Sequence, residues 1–454
     1  MTLPNYFLAD LPPEAELSPT MIAEACQTLK RNRERYLATR STGSMVNVLI
    51  GVAKSWLADD YPFRKLAMEL GPGATGFSAQ TLARGLDSFF SQLTPENFNA
   101  LIEQDLGHVG RMDELVASHA EQKGNRAAIV NAPELLGHIA AGNMPVPALM
   151  SMVLGALVRS AQVVKCAVGT ALIPRLFAHS LYEADAKLGA CLEVVEWPGK
   201  ADILTDALFA EADCVTVTGS DETLAALRQR LPAKTRFLGY GHRVSFAYVT
   251  GQALAGLSAH KVVERAATDV AAWDQLGCLS PHVIYVEAGG KLSAEQFAEA
   301  LAAEMERREA SEPRGALSVE EAANIRSRRA IYEIRSVHSP ETRHWCSHNS
   351  TAWTVVFEVD PRFQLSCLNR FIYVKAVKDL TEALQSADSF KGHISTVGLA
   401  ATEDRLQGLA TELARWGVTR VCPLGQMQNP PLTWRHDGRP ALGDLISWTD
   451  CELT

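Results

Sequence analysis

The residue best suited to covalent chemistry in this chain is the cysteine at position 278. Cys278 lies in the stretch 273–281, which reads Trp-Asp-Gln-Leu-Gly-Cys-Leu-Ser-Pro, between a helix-like run and a β-branched, strand-like run over 282–286. A thiol at such a junction is expected to face a cleft. Because a thiolate attacks carbonyl carbons, Cys278 is a candidate nucleophile. The alternative is a buried and inert cysteine, since most thiols pack as small apolar groups.

The elements that must position this thiol begin with a helical region that extends to about residue 122. The helix expected over 18–35 opens with Ser18-Pro19, an N-cap followed by a proline suited to the first turn. From Arg126 onward, short β-branched runs alternate with amphipathic helices. The strands expected there are 127–130, 136–140, 162–165, 192–197, 214–218 and 243–249. Strands joined by helices need crossover connections, so the sequence predicts a largely parallel sheet covered by helices on both faces.

A second α/β region is expected from about residue 246 to residue 422. Its strands are expected near 283 and over 353–359, 370–374 and 394–397. The tail from Gly425 is rich in proline, glycine and tryptophan. Because Trp434 and Trp448 favour burial, we predict that the tail docks onto the protein rather than serving as a linker.

The composition indicates a globular protein with a large core and two or three domains. The chain has 454 residues, of which 47% are hydrophobic, and its formal net charge of −9 disfavours general nucleic-acid binding. Its nine cysteines are scattered and form no Cys-x-x-Cys pair, so neither a disulfide framework nor a zinc ribbon is expected. A reducing cytoplasm is the simplest compartment. The first eleven residues lack the basic and apolar regions of a secretory signal, so export is not predicted.

The uncharged segment 139–158 is about long enough to cross a bilayer. However, Gly142, Pro145 and Pro147 would break the first half of a spanning helix and leave backbone groups unpaired in lipid. A strand, a loop and the start of a buried helix explain this segment better. We therefore predict no membrane span.

Two polar patterns further along the chain have simple structural explanations. His344, Cys346 and His348 would align on one strand face, but ligands two apart rarely complete a tetrahedral site by themselves, so no metal is predicted. A basic stretch on a later helix could contact a phosphate of coenzyme A, although such runs are usually solvated helix faces. Its members are Arg326, Arg328, Arg329 and Arg335.

Four short motifs precede Cys278 in an order that resembles the aldehyde dehydrogenase superfamily. They are Asn143-Met144-Pro145, Lys165, Pro198-Gly199 and Thr218-Gly219-Ser220. Each motif is weak alone, whereas the ordered set is specific. The resemblance implies an α/β, aldehyde dehydrogenase-like fold that combines a Rossmann-like cofactor domain, an α/β catalytic domain and a C-terminal oligomerisation segment.

Within that superfamily, the chain resembles the LuxC-type acyl-CoA reductases, the fatty acid reductase family of bacterial luminescence operons. The similarity extends from about residue 127 to residue 448. The stretches that carry it are 137–143 (Gly-His-Ile-Ala-Ala-Gly-Asn), 239–243 (Gly-Tyr-Gly-His-Arg), 274–278 (Asp-Gln-Leu-Gly-Cys) and the tail 430–439 (Pro-Pro-Leu-Thr-Trp-Arg-His-Asp-Gly-Arg). The tail is the most specific of these.

The resemblance implies roles for the motif residues. The Asn143 amide and the Cys278 backbone N–H would stabilise an oxyanion, although an asparagine before proline can also simply cap a turn. Lys165 would contact the adenosine ribose or a 2′-phosphate, unless it only ends a strand and points to solvent. His242 would assist the site by donating a hydrogen bond to cofactor or substrate, or would only satisfy a turn.

The remaining motif residues are expected to contact the dinucleotide. Gly199, Thr218, Gly219 and Ser220 lie in turns after strands, and the last three precede a helix whose N-terminal N–H groups can receive a pyrophosphate. The chain differs from the superfamily at two positions. Phe237 replaces the glutamate that activates water for acyl-enzyme hydrolysis, and Val168 replaces a glutamate common in enzymes that prefer NAD. These differences imply a long-lived acyl-enzyme and NADPH rather than NADH.

The expected activity is NADPH-dependent reduction of a long-chain acyl-CoA or acyl-protein thioester to the fatty aldehyde through an acyl-cysteine. The alternatives are a CoA-acylating aldehyde dehydrogenase working in the oxidative direction and a non-catalytic scaffold for an acyl synthetase. The expected domains are a helical layer at 1–122, a dinucleotide-binding domain at 123–245, a catalytic domain at 246–424 and a docking segment at 425–454. The family implies an acyl-protein synthetase partner and a homodimer or homotetramer.

Overall fold

The computed structural model describes residues 3–12, 14–142, 144–255 and 259–452, and within it the chain forms two compact units. The first unit consists of Met1–Thr75, Leu86–Gly241 and Pro431–Thr454, and the second consists of Gly76–Gly85 and His242–Pro430. The candidate nucleophile therefore belongs to the second unit. The predicted cofactor residues belong to the first.

Eleven helices occur in the part of the chain described up to residue 241. They are α1 (Pro19–Tyr36), α2 (Thr42–Trp56), α3 (Pro62–Thr75), α4 (Ala79–Phe90, which begins in the second unit), α5 (Pro95–Leu106), α6 (His119–Lys123), α7 (Val146–Leu157), α8 (Leu172–Ala184), α9 (Ala186–Gly189), α10 (Asp202–Glu211) and α11 (Asp221–Arg228). The Ser18 hydroxyl accepts the Met21 N–H at 3.2 Å, and Pro19 occupies the first turn of α1. This confirms the helix start predicted from the Ser-Pro pair.

The first unit contains a five-stranded parallel sheet. Its strands are β2 (Leu135–Ile139), β3 (Ala161–Cys166), β4 (Leu192–Glu196), β5 (Cys214–Thr218) and β6 (Arg236–Tyr240), in the order β4-β3-β2-β5-β6. Leu136 enters one hydrophobic core and its neighbour Leu135 enters another, so both faces of the sheet are covered. The predicted parallel sheet is confirmed. Strand β6 was not predicted, because it lies at the sheet edge, is only partly buried and contains a glycine.

The first expected strand pairs elsewhere. Strand β1 (Arg126–Asn131) forms an antiparallel ribbon with β14 (Ser447–Glu452), with Val130 opposite Trp448. The expectation that Trp448 is buried was wrong, because the side chain is 44% exposed and its ring lies 5.2 Å from the Arg111 guanidinium. Most residues of β14 are exposed, since the ribbon contains only two strands.

The second unit is built on a seven-stranded sheet. Its strands are β7 (Val244–Val249), β8 (Pro281–Glu287), β9 (Thr342–Cys346), β10 (Thr354–Glu358), β11 (Phe371–Val377), β12 (Ile394–Ala400) and β13 (Arg420–Pro423), in the order β13-β12-β7-β8-β11-β10-β9. Only the edge strand β9 pairs antiparallel within this described sheet. The helices of this unit are α12 (Ala259–Ala271), α13 (Ala294–Ser311), α14 (Val319–His338), α15 (Leu380–Ser386) and α16 (Glu403–Trp416).

The uncharged segment from 139 to 158 contains the end of β2 and the whole of α7, as the sequence predicted. Across the described ranges, every helix is too short or too polar to cross a bilayer.

Candidate active site

Cys278 lies in the turn between α12 and β8, as the sequence predicted, and its side chain is exposed. All nine cysteines fall within the described ranges, and the other eight are buried or half-buried. Burial raises the pKa of five of those thiols to about 12, which keeps them protonated. These five are Cys26, Cys166, Cys191, Cys214 and Cys422. Exposure therefore distinguishes Cys278 as the accessible thiol.

A left-handed turn precedes the thiol. Trp273, Asp274 and Gln275 have φ values of 50°, 50° and 65°, a conformation that costs about 1–3 kcal/mol for each residue other than glycine. The Trp273 ring packs over Gly85, where an added Cβ would lie 1.9 Å from Trp273 Cζ2. A backbone in this conformation persists only where surrounding contacts hold it. Here the buried side chains of Trp273, Asp274 and Gln275 make those contacts.

Asp274 is held by a buried ion pair. Arg370 Nε donates to Asp274 Oδ1 at 2.9 Å, and the Gly315 N–H donates to Asp274 Oδ2 at 3.0 Å. Arg370 belongs to a second left-handed run, with φ values of 60°, 54° and 64° at Leu368, Asn369 and Arg370. The ion pair thus joins the two strained segments.

Gln275 fixes the same turn from the sheet side. Its Nε2–H group donates to the Pro281 carbonyl at 2.7 Å and to the Phe371 carbonyl at 2.9 Å. Pro281 begins β8 and Phe371 begins β11, so the side chain ties the turn to the amino ends of two neighbouring strands. The position of Cys278 is therefore set by long-range contacts.

His242 lies at the same edge of the sheet as Cys278. Ser245 pairs with Pro281 across β7 and β8, and the Ser245 hydroxyl donates to the Cys278 carbonyl at 2.8 Å. His242 lies three residues before Ser245, and Cys278 lies three residues before Pro281. Both residues therefore lie at the amino ends of adjacent parallel strands. The imidazole of His242 is exposed.

A second histidine near this edge was missed by the sequence reasoning. Ser245 pairs with Pro281 and Phe246 with Val283, so His282 is an extra, bulged residue, and bulges redirect side chains. Its Nδ1 accepts the Ser366 N–H at 3.1 Å. Burial, and then the charge of His242, lower the pKa of His282 to about 4, so His282 is neutral at pH 7. A histidine inside a β-branched run was the only signal in the sequence.

The predicted cofactor residues lie at the carboxyl edge of the parallel sheet in the first unit. Lys165 is a buried residue near the end of β3, and its ammonium group makes no hydrogen bond or ion pair with another described residue. Burial lowers the pKa of Lys165. Ligands bind at this edge in open α/β sheets, and a ribose or phosphate oxygen would satisfy the ammonium group. Lys165 is therefore compatible with a dinucleotide bound at this edge.

The remaining predicted cofactor residues follow β4 and β5 at that edge. Gly199 is exposed after β4, whereas Thr218 ends β5 and Gly219 follows it. The Ser220 hydroxyl accepts the Thr223 N–H at 3.3 Å and so caps α11. Asp221 and Glu222 occupy the first turn of α11, and their charge opposes that of a bound anion there. Neither carboxylate was predicted from the sequence to lie at this edge.

Asn143, the predicted oxyanion donor, lies outside the described residues. Across those residues no group of three or more His, Cys, Asp or Glu side chains could hold a metal ion. His344 and Cys346 belong to β9, whereas His348 lies beyond its end, so the three residues do not share one strand face.

Comparison with solved structures defines the class of fold. The chain superposes on a putative aldehyde dehydrogenase PutA from Anabaena variabilis with a TM-score of 0.71, 15% identity, and coverage of 97% of this chain and 94% of that one. It superposes on a salicylaldehyde dehydrogenase from Pseudomonas putida G7 with a TM-score of 0.70, 16% identity, and coverage of 96% and 91%. The fold is that of the aldehyde dehydrogenases, as predicted.

The family follows from the sequence. A family model described as acyl-CoA reductase (LuxC) matches residues 37–448, so the chain belongs to that family. It is 22% identical over 441 residues to a long-chain acyl-protein thioester reductase 2 from Photobacterium leiognathi, covering 94% of this chain and 85% of that one. It is 21% identical over 260 residues to a long-chain acyl-protein thioester reductase from Vibrio harveyi, covering 55% and 51%. These findings confirm the predicted family and the predicted acyl reductase class of enzyme.

Proposed function

We propose that the protein reduces a long-chain acyl-CoA or acyl-protein thioester to the fatty aldehyde, with NADPH as reductant. The observation that carries this proposal is the exposed thiol of Cys278, on a turn held by the buried Asp274–Arg370 ion pair, in a chain of the acyl-CoA reductase family. The activated thioester is required because a thiolate is a far better leaving group than hydroxide.

Cys278 acts as the nucleophile in this scheme. Its thiolate attacks the thioester carbonyl, the donor thiolate leaves and takes up a proton, and the acyl chain remains on Cys278 as a thioester. Backbone N–H groups at the turn and the Asn143 amide are the proposed donors to the developing oxyanion, each worth about 3–4 kcal/mol. His242, at the amino end of β7, is proposed to donate a hydrogen bond to the substrate.

A dinucleotide would be held in the first unit by Lys165, Gly199 and the turn Thr218-Gly219-Ser220. When bound, its reduced nicotinamide supplies the hydride that converts the acyl group to the aldehyde. Collapse of the thiohemiacetal on Cys278 then releases the aldehyde and regenerates the thiol. Val168 supports NADPH over NADH, because it is 61% exposed and adds no negative charge near a 2′-phosphate.

The product is proposed to be an aldehyde rather than an acid. Phe237 occupies the position of the water-activating glutamate, and its ring lies close to Gly239 and 5.9 Å from the Arg228 guanidinium. Without a general base, water attack on the acyl-enzyme loses about 10²–10⁴-fold of assistance. The acyl-cysteine then survives until it is reduced.

The family supports two further parts of the proposal. An acyl-protein synthetase is the proposed donor of the acyl group, and a homodimer or homotetramer is the proposed assembly. The nucleophile must stay reduced, which favours a reducing compartment such as the cytoplasm. The oxidative direction, with an aldehyde, CoA and NADP⁺ as substrates, uses the same residues.

A steady-state assay of cofactor preference tests the proposal. Myristoyl-CoA is mixed with the protein and either NADPH or NADH, and the aldehyde and the acid are quantified by mass spectrometry. We expect aldehyde as the product and a kcat/KM for NADPH at least about tenfold above that for NADH, because no carboxylate at position 168 opposes the extra phosphate. Val168→Glu should reverse the preference, whereas Ile203→Glu, at another exposed apolar position, should leave it unchanged. Fatty acid as the main product would overturn the proposed reaction, and an NADH preference would overturn the proposed cofactor.

A further inference from the structure

We propose that Gln428 is a positioning residue for Cys278, because its carboxamide holds the turn from Gly277 to Ser280 that presents the thiol. This inference rests on the proposed function of Cys278 as the nucleophile. Gln428 lies near the start of the C-terminal tail, shortly after β13, and is 148 positions from Ser280.

Gln428 contacts the turn on both sides of Cys278. Its Nε2–H group donates to the Ser280 hydroxyl at 2.6 Å, and Ser280 is buried. A Cβ atom added at Gly277 would lie 2.3 Å from the same Nε2 atom, so the carboxamide packs directly against Gly277. The side chain therefore spans the turn, and only a glycine at 277 allows this close approach.

The backbone that precedes Gln428 is held by hydrogen bonds to two buried charged residues. The buried Asp269 carboxylate accepts the Gly425 N–H at 2.5 Å and the Met427 N–H at 2.9 Å. Arg420 donates to the Met427 carbonyl at 2.6 Å and to the Gln426 carbonyl at 2.8 Å. These four bonds fix the backbone of 425–427, so the carboxamide of the next residue reaches the nucleophile turn from a fixed base.

The arrangement complements the contacts described above. Asp274 and Gln275 fix the turn where it leaves α12, and the Ser245 hydroxyl fixes the Cys278 carbonyl. Gln428 adds a contact to the turn at Gly277 and Ser280, on either side of Cys278. A displacement of about 1 Å at a reacting atom can cost about 100-fold in rate, so the loss of this contact should slow thioester attack without preventing it.

Single-turnover acylation provides the test. The full-length protein is mixed with myristoyl-CoA in the absence of cofactor, and the acylated fraction is followed by intact-mass spectrometry. We expect Gln428→Ala to slow acylation by about 10- to 100-fold while the final acylated fraction matches that of the wild type. Gln426→Ala is the matched control, because Gln426 is an exposed glutamine on the same segment.

Two further variants separate positioning from general support of the fold. Ser280→Ala removes the hydrogen-bond partner of Gln428, so its effect on the acylation rate should not add to that of Gln428→Ala. Gly277→Ala should slow acylation strongly when Gln428 is present, because the new methyl group displaces the carboxamide. It should slow acylation much less in the Gln428→Ala background, where the methyl group has room.

The possible outcomes are distinct. Acylation of Gln428→Ala at the wild-type rate would overturn the positioning role and leave the proposed function intact. A lower acylated fraction at an unchanged rate would show a role in folding only and would also overturn the proposal. A wild-type protein that is never acylated at Cys278 would overturn the proposed function, and the role of Gln428 with it.

Discussion

Cys278→Ala is expected to lower the rate of thioester reduction by at least about 10⁴-fold, because it removes the atom that carries the acyl group. The rate is measured as myristoyl-CoA-dependent oxidation of NADPH. Folding should be retained, since an exposed side chain on a turn contributes little to the core. The free energy of unfolding in urea should therefore match that of the wild type.

Cys451→Ala is the matched control for this experiment. Cys451 is half-buried in the ribbon of β1 and β14, and its loss should leave the reduction rate unchanged. Retention of a tenth or more of the wild-type rate by Cys278→Ala would mean that the acyl group is carried elsewhere. Equal losses in both variants would point to a general effect on the fold.

The second large effect is expected at the ion pair that joins the two left-handed segments. Asp274→Ala should lower the free energy of unfolding by about 3–5 kcal/mol, because Arg370 loses its closest carboxylate inside the protein and the Gly315 N–H loses its acceptor. Aspartate also tolerates the left-handed conformation better than alanine does. Urea unfolding, followed by circular dichroism, measures the change.

Two companion variants make this prediction specific. Asp274→Asn keeps a side-chain oxygen that can accept hydrogen bonds, so its loss of stability should be smaller than that of Asp274→Ala. Arg362→Ala breaks the ion pair between Arg362 and Asp360. Because the Arg362 side chain is 80% exposed, this change should leave the free energy of unfolding unchanged within error. A loss below about 0.5 kcal/mol in Asp274→Ala would show that the buried ion pair does not hold the turn.

The order of elements was predictable because its signals are local. Apolar periodicity and the Ser18-Pro19 cap predicted α1, and β-branched runs separated by helices predicted the parallel sheet that contains Lys165. The junction that contains Cys278 followed from the same reasoning. The exposure of Trp448 was not predictable, because it follows from the pairing of β1 with β14. The paired residues of these strands are 316 or more positions apart, and local patterns carry no information about such pairing.

The site was less predictable than the fold, because long-range contacts shape it. Trp273, Asp274 and Gln275 are not residues that favour a left-handed backbone as glycine does, so the turn before Cys278 could not be read from the sequence. The contact of Gln428 with Ser280 joins residues 148 positions apart, and the bulge that redirects His282 depends on the register of β7 against β8. A pattern of residue types predicts which residues react, whereas the surrounding packing determines where they lie.

Intact-mass spectrometry of the wild-type protein tests the central claim most directly. Incubation with myristoyl-CoA without cofactor should add the mass of one myristoyl group per chain, and peptide mapping should place it on Cys278. Addition of NADPH should then remove that mass and release one equivalent of myristaldehyde. Absence of the adduct, or an adduct on another residue that NADPH discharges, would contradict the account.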